Sequence, residues 1–192
     1  MTSWHRALLP VAIIATACRS RHRFESKQPV GTETVIIERE SVRAILLTNA
    51  NEVLLLRIAP PAKGDRFWIT PGGGMEPGET YECALRRELR EEVGLVDFEM
   101  GPLVWLRQHT FNWGDRRIRQ RERYYVVHVD RFVPRMSDAT EARILDQFRW
   151  WPTSELSHSS ERLTPLSIAQ IVARYLERGA PPEPLEIEVL VD

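Results

Sequence analysis

The chain has 192 residues, 43% of them hydrophobic, with 26 Lys and Arg against 27 Asp and Glu. That length buries one real core, so a single domain with tails is expected. The near-neutral balance excludes a global pull toward nucleic acid or an anionic membrane, and leaves any charge logic local. Cys18 and Cys83 are too few for a disulfide framework and lack metal-ligand spacing, which fits a reducing compartment.

The first 32 residues read as a leader. A weakly basic start precedes an apolar run from Ala7 to Ala17, then Cys18. The run is too short to span a bilayer as a helix, but it has the length of a signal-peptide core. Ala15-Thr16-Ala17-Cys18 also looks like a bacterial lipoprotein box, with Ala15 where a bulky aliphatic residue is usual. One reading is a disordered leader on a cytoplasmic protein. The other is export or lipid anchoring, if residues 1–18 are a signal. A polar, unpatterned stretch then places the domain boundary near Glu33.

The elements that follow alternate in type. Residues 41–48 and 52–58 are strand-like runs joined by Asn49-Ala50-Asn51, a hairpin signal. Residues 60–65 read as a loop and 66–70 as a short strand stopping at Pro71, after which a helix runs to Gly94. Beyond Gly101-Pro102, residues 103–111 and 118–132 are strands about the turn Asn112-Trp113-Gly114-Asp115. Residues 147–151 form a further strand, 153–156 a helical turn, and 165–179 an amphipathic helix with Pro165 near its start and Gly179 at its end. Residues 180–192 read as a Pro-rich tail after a domain covering 33–179. The expected class is α/β, a mixed sheet between helices.

The stretch PGGGMEPGETYECALRRELREEVGL, residues 71–95, concentrates the chemistry. Ala84, Leu85, Leu89 and Val93 make an apolar stripe. At about 100° per residue, Glu88, Glu91 and Glu92 fall in one arc bordering that stripe, with Arg86 and Arg90 outside it. Like charges at these spacings repel, and two of the glutamates lie at the negative end of the helix dipole. A solvated face neutralised by Arg87 and its neighbours is the plain alternative. It does not account for the edge-of-core position or for the loop ahead of it. A divalent cation accounts for both, since Mg²⁺ takes hard oxygen ligands from one or two carboxylates plus phosphate and water. Gly72-Gly73-Gly74 would let backbone approach such a ligand closely.

Gly73, five residues, Glu79, seven residues, then Arg87-Glu88-Leu89-Arg90-Glu91-Glu92-Val93-Gly94-Leu95 resembles the Nudix box at every specified position. The order of elements over roughly 35–178 also looks like a Nudix domain. The resemblance implies an α/β/α sandwich and Mg²⁺-dependent hydrolysis of a nucleoside diphosphate linked to another group, with Mn²⁺ as a substitute ion. It implies Glu91 and Glu92 as metal ligands, helped by the Gly72 carbonyl, and Glu88 as ligand or general base. Arg87 would hold Glu79 and orient the helix, with Gly73 and Gly94 in structural support. A nucleotide-derived small molecule is then the expected partner, with a homodimer in prospect and extended nucleic-acid binding disfavoured.

Members of the family often recruit an acid from outside the box, for which Glu122 and Glu141 are the candidates. Glu122 could equally pair with neighbouring arginines. Arg57, Trp68 and Trp113 are candidates for substrate contact, the tryptophans as stacking platforms. Trp68 on its short strand also reads as core. Arg117, Arg119, Arg121 and Arg123 would share one strand face, as a protected edge or as a phosphate clamp. Cys83 reads as packing, and His109 and His128 as structural. Two other functions compete with the diphosphatase: a nucleotide sensor that keeps the fold without turnover, and an isoprenoid diphosphate isomerase, for which Cys83 is badly placed.

Overall fold

A computed structural model describes residues 36–59, 65–113, 116–137 and 141–191. The leader with its signal-like run, most of the 60–65 loop and the Gly114-Asp115 turn lie outside the described residues. Among the described residues no helix is long and apolar enough to cross a membrane.

In chain order the elements are β1 (Ile36–Leu47), β2 (Glu52–Ile58), β3 (Phe67–Ile69), α1 (Tyr81–Val93), β4 (Leu103–Trp113), β5 (Arg116–His128) and a 3-10 turn (Glu141–Arg143). Then come β6 (Leu145–Pro152), α2 (Thr153–Leu156), β7 (Leu163–Thr164), α3 (Ile168–Arg178) and β8 (Leu185–Val191). The sheet is mixed and runs β7-β3-β2-β1-β5-β4-β8, with β6 on the other side of β2. β1 lies parallel to β5 along its length, whereas its ladder to β2 is confined to the hairpin, at Leu47 opposite Val53. The sheet therefore parts between β1 and β2. The segment after β3 fills the gap: Ala44 donates to the Pro71 carbonyl at 2.8 Å, Val42 to Gly73 at 2.9 Å, and Met75 back to Glu40 at 3.0 Å. The glycine loop is thus a strand-like filler held against β1.

Alternation along the strands builds two cores. Val42, Ala44 and Leu46 of β1 pack with Ala84, Leu85, Leu89 and Val93 of α1. Ile45 and Leu47 pack on the opposite face with Leu156 of α2 and Ile168, Ile171 and Val172 of α3. This is the expected α/β/α sandwich. In α1, the Thr80 side chain accepts from the Cys83 amide, and Gly94 at φ 73° turns the chain out of the helix. Residues after β5 then bind the helix end, Arg135 donating to the Val93 carbonyl at 3.1 Å and Ser137 to Glu91 at 2.7 Å. Cys83 is exposed, not packed as the sequence suggests.

The C-terminal segment also departs from expectation. Residues 185–191, read as part of a tail, form β8 in parallel register with β4 from Trp105 to Thr110. The run LEIEVLV alternates as a strand should, and prolines 181, 182 and 184 stand just before it, where they obstruct no ladder. Removing residues 180–192 should lower stability by about 1–4 kcal/mol, given roughly 0.5–1.5 kcal/mol net per ladder bond. A thermal melt checks this, at about 2–4 °C per kcal/mol; an unchanged midpoint would restore the tail.

Candidate active site

Gly72 stands where α1, β1 and the loop meet. Its φ is 125°, and a Cβ there would lie 2.2 Å from the Val42 carbonyl oxygen. Only glycine fits. Its amide donates to Glu92 Oε2 at 2.6 Å, and its carbonyl accepts from Arg43 Nη1. Gly73 lies against Glu88, whose carboxylate would meet an added Cβ at 2.6 Å. The glycines thus open a cradle for two helix carboxylates.

Arg87 ties this cradle together. It holds Glu79 in a two-pronged pair at 2.8 and 2.9 Å, Glu88 at 2.7 Å and the Gly74 carbonyl at 2.9 Å. Its hydrogen bond keeps the Glu79 carboxyl below the usual range. Glu91 Oε2 is 3.7 Å from the same guanidinium. Glu88 and Glu92 are buried, whereas the Glu91 side chain is 36% exposed. Among the described residues, no three carboxylate, imidazole or thiol groups already converge into a cation cage. The donor set is nonetheless all hard oxygen, which suits Mg²⁺ or Mn²⁺ completed by phosphate and water.

Glu122 behaves differently from a spare acid. It is buried and bound by Arg43 Nε at 3.0 Å, Gln120 Nε2 and Tyr124 Oη each at 3.1 Å, and Arg107 Nη1. Burial opposes its charge, but the Arg107 and Arg43 guanidinium groups outweigh that and hold its pKa at about 2. The carboxylate is caged beneath the loop, so it supports the site from behind. Arg43 and Arg107, which complete this cage, were not among the residues singled out from sequence. Their signal was available, since each interrupts an otherwise apolar strand, AILL after Arg43 and LVWL before Arg107.

The proposed substrate contacts do not gather here. Trp68 is 1% exposed, stacks edge-on to Trp151 and donates its N–H to Glu161, so it is core. Arg57 is paired with Asp146 at 2.7 Å on the β2–β6 side. The side chains of Trp113 and Glu141 lie outside the described residues. Arg119 and Arg121 pair with Glu38 and Glu40 across β1, and Arg123 covers the Tyr81 ring at 4.3 Å. That is the charge-protected strand face, with a cleft of about 140 Å³ between Gln108, Arg121 and Arg123.

The caged Glu122 makes a pH prediction. Its pKa is lower folded than unfolded, so its contribution is present above about pH 4.5 and is lost as pH falls toward 2. Glu122→Gln should cost about 3–5 kcal/mol at pH 7, because two guanidinium groups lose their partner. The gap to wild type should shrink by roughly 2–4 kcal/mol between pH 5 and pH 2 in denaturant titrations. A gap that stays constant with pH would mean the carboxyl is not charged in the fold.

The family model of the NUDIX domain matches residues 38–174. The chain is 29% identical over 153 residues to the human protein named 8-oxo-dGDP phosphatase NUDT18, covering 79% of this chain and 44% of that one. It is 33% identical over 99 residues to nucleoside triphosphatase NudI of Escherichia coli, covering 47% and 65%. The match spans less than two thirds of either relative's own length. Among solved structures, the MutT protein of Methanosarcina mazei Go1 superposes with a TM-score of 0.55 at 19% identity, covering 77% of this chain and 97% of that one. The NUDIX domain of Shewanella oneidensis NrtR, solved with ADP ribose, gives 0.52 at 19% identity, covering 73% and 88%. These two likenesses concern the fold. With the family pattern running from β1 to α3 around an intact glycine loop and acidic helix, the chain belongs to the Nudix family.

Proposed function

We propose that the chain hydrolyses a phosphoric anhydride bond in a nucleoside diphosphate derivative, with Mg²⁺ as its ion and Mn²⁺ as a substitute. The observation that carries this is the Gly73–Glu88 approach, with Glu92 fixed to the neighbouring amide and Glu91 left open beside them. Glu88, Glu91 and Glu92 are the proposed ion-holding groups. The Gly72 carbonyl already accepts from Arg43 and has one lone pair left to add. A bound divalent ion would supply charge neutralisation at the phosphates and a more acidic water.

The protein's own residues then have defined tasks. Arg87 keeps Glu79 charged and holds both Glu79 and Glu88 in place. Glu88 is a third ligand or the proton acceptor for the attacking water. Glu122, caged by arginines, is set aside as the extra acid. Glu141 takes that place in the proposal, because Ser137, four residues before it, is bonded to the backbone of Glu91. The names of the relatives suggest nucleoside di- and triphosphates, oxidised purines included, as the first substrates to try.

The test is product release from nucleoside di- and triphosphates, 8-oxo-dGDP, ADP-ribose, nucleotide sugars and dinucleoside polyphosphates with Mg²⁺. Replacing Glu91 and Glu92 together by Gln should lower kcat/KM about 1,000-fold, the loss of several kcal/mol of charge stabilisation. Turnover that survives the double substitution would overturn the reading. Absent turnover with a nucleotide-raised melting temperature would favour a sensor. Gly73→Ala should push Glu88 aside and lower activity at least tenfold, with helicity by circular dichroism retained.

A further inference from the structure

We infer that Arg43 is a positioning residue for the cation site, locking the backbone on both sides of Gly72 so that its amide keeps Glu92 in register. This rests on reading the helix carboxylates as ion ligands. The argument is geometric. Three consecutive glycines leave the loop with wide backbone freedom, so Gly72 needs an external anchor at its carbonyl. Arg43 supplies it from β1, with Nη1 on the Gly72 carbonyl and also 3.4 Å from the Thr70 carbonyl, while Nε holds Glu122 at 3.0 Å. One rigid plane thus fixes two loop carbonyls and one carboxylate.

The anchor is itself held. Glu122 is bound by Arg107, Gln120 and Tyr124, and Gln120 reaches on to Ser41 Oγ at 3.2 Å. Arg43 is 1% exposed and cannot swing away. On the other side of the Gly72 Cα, the Gly72 amide meets Glu92 at 2.6 Å, and Glu92 is also 1% exposed. A flip of the Pro71–Gly72 peptide would turn the Pro71 carbonyl oxygen toward that buried carboxylate; the Ala44 amide holds that oxygen at 2.8 Å, and Arg43 holds the carbonyls of Thr70 and Gly72 on either side of it. Arg43 therefore acts on Glu92 through two peptide planes joined at the Gly72 Cα, and through them on the ion. Lysine keeps the charge but not the fork, so it cannot serve both Glu122 and the loop.

The test is Mn²⁺ binding to the whole chain without substrate, read from the electron paramagnetic resonance of free Mn²⁺. Arg43→Lys should weaken binding about tenfold, the usual effect of losing a group that orients a ligand. Tyr124→Phe, which removes one hydrogen bond from Glu122 and little else, should shift affinity the same way by a smaller factor. The Mg²⁺ concentration for half-maximal activity should rise in parallel, with KM for nucleotide at saturating Mg²⁺ unchanged. Ile171→Val, in the core under α3, should lower the melting temperature and leave Mn²⁺ affinity alone. If Arg43→Lys and Tyr124→Phe bind Mn²⁺ as tightly as wild type, Arg43 serves the fold only. If Arg43→Lys does not fold, Tyr124→Phe decides. A wild-type chain that binds no Mn²⁺ overturns the cation-site reading, and this inference with it.

Discussion

Both backbone polar groups of Gly72 are bound by side chains, the amide by Glu92 and the carbonyl by Arg43. Much of the structure follows from that one residue. β1 must part from β2 to admit the loop, and β1 must carry an arginine inward to meet it. β5 must then supply a carboxylate opposite that arginine, which the parallel β1–β5 register does by placing Glu122 beside Ser41 and Arg43 beside Tyr124. The glycines are the condition for all of it, since a Cβ at Gly72 would strike the backbone of Val42 and Arg43.

Magnitudes separate this inner network from the many other ion pairs. Exposed pairs such as Arg86–Glu82 or Arg119–Glu38 contribute about 0–1 kcal/mol each and are screened by salt. The buried cage is of another order, because an uncompensated charge there costs several kcal/mol. Such a cage is stable only when complete, and Glu122 meets that condition through four donors. Completeness also makes it stiff. A stiff base beneath a glycine-rich loop resolves an apparent conflict, since the loop needs freedom to fit around the carboxylates and order to hold them.

The visible and hidden parts of the sequence divide along physical lines. The end of α1 was readable because capping is local: Gly94 announces it, and the apolar stripe gives the face. The box was readable because its residues are consecutive along one helix and loop. Glu122 was readable only as an acid of undecided role, since its fate depends on Arg43, 79 residues away, and on a parallel register that no local pattern encodes. Trp68 offered no local way to choose between platform and core; its burial depends on Trp151 and Glu161 closing over it from distant elements. β8 was hidden by composition. The prolines before it suggest a tail, while the alternation in LEIEVLV is too short to prevail without the exposed edge of β4 to receive it.

The acidic helix itself carries a tension that the fold contains without removing. Arg87 divides one positive charge among Glu79, Glu88 and Glu91, at 2.8, 2.7 and 3.7 Å. Glu91 and Glu92 still sit at the end of α1 where the helix dipole is negative, and Arg135 and Ser137 meet only its backbone carbonyls. In the proposed reading, any repulsion between these carboxylates is what a bound divalent cation would relieve. Binding and folding are linked by that relief, and an ion at 100 times its dissociation constant would add about 2.7 kcal/mol. In the proposed reading, the negative charge of the helix is what would recruit the ion, so stability of the fold without an ion and readiness of the proposed site would pull in opposite directions along Glu88, Glu91 and Glu92.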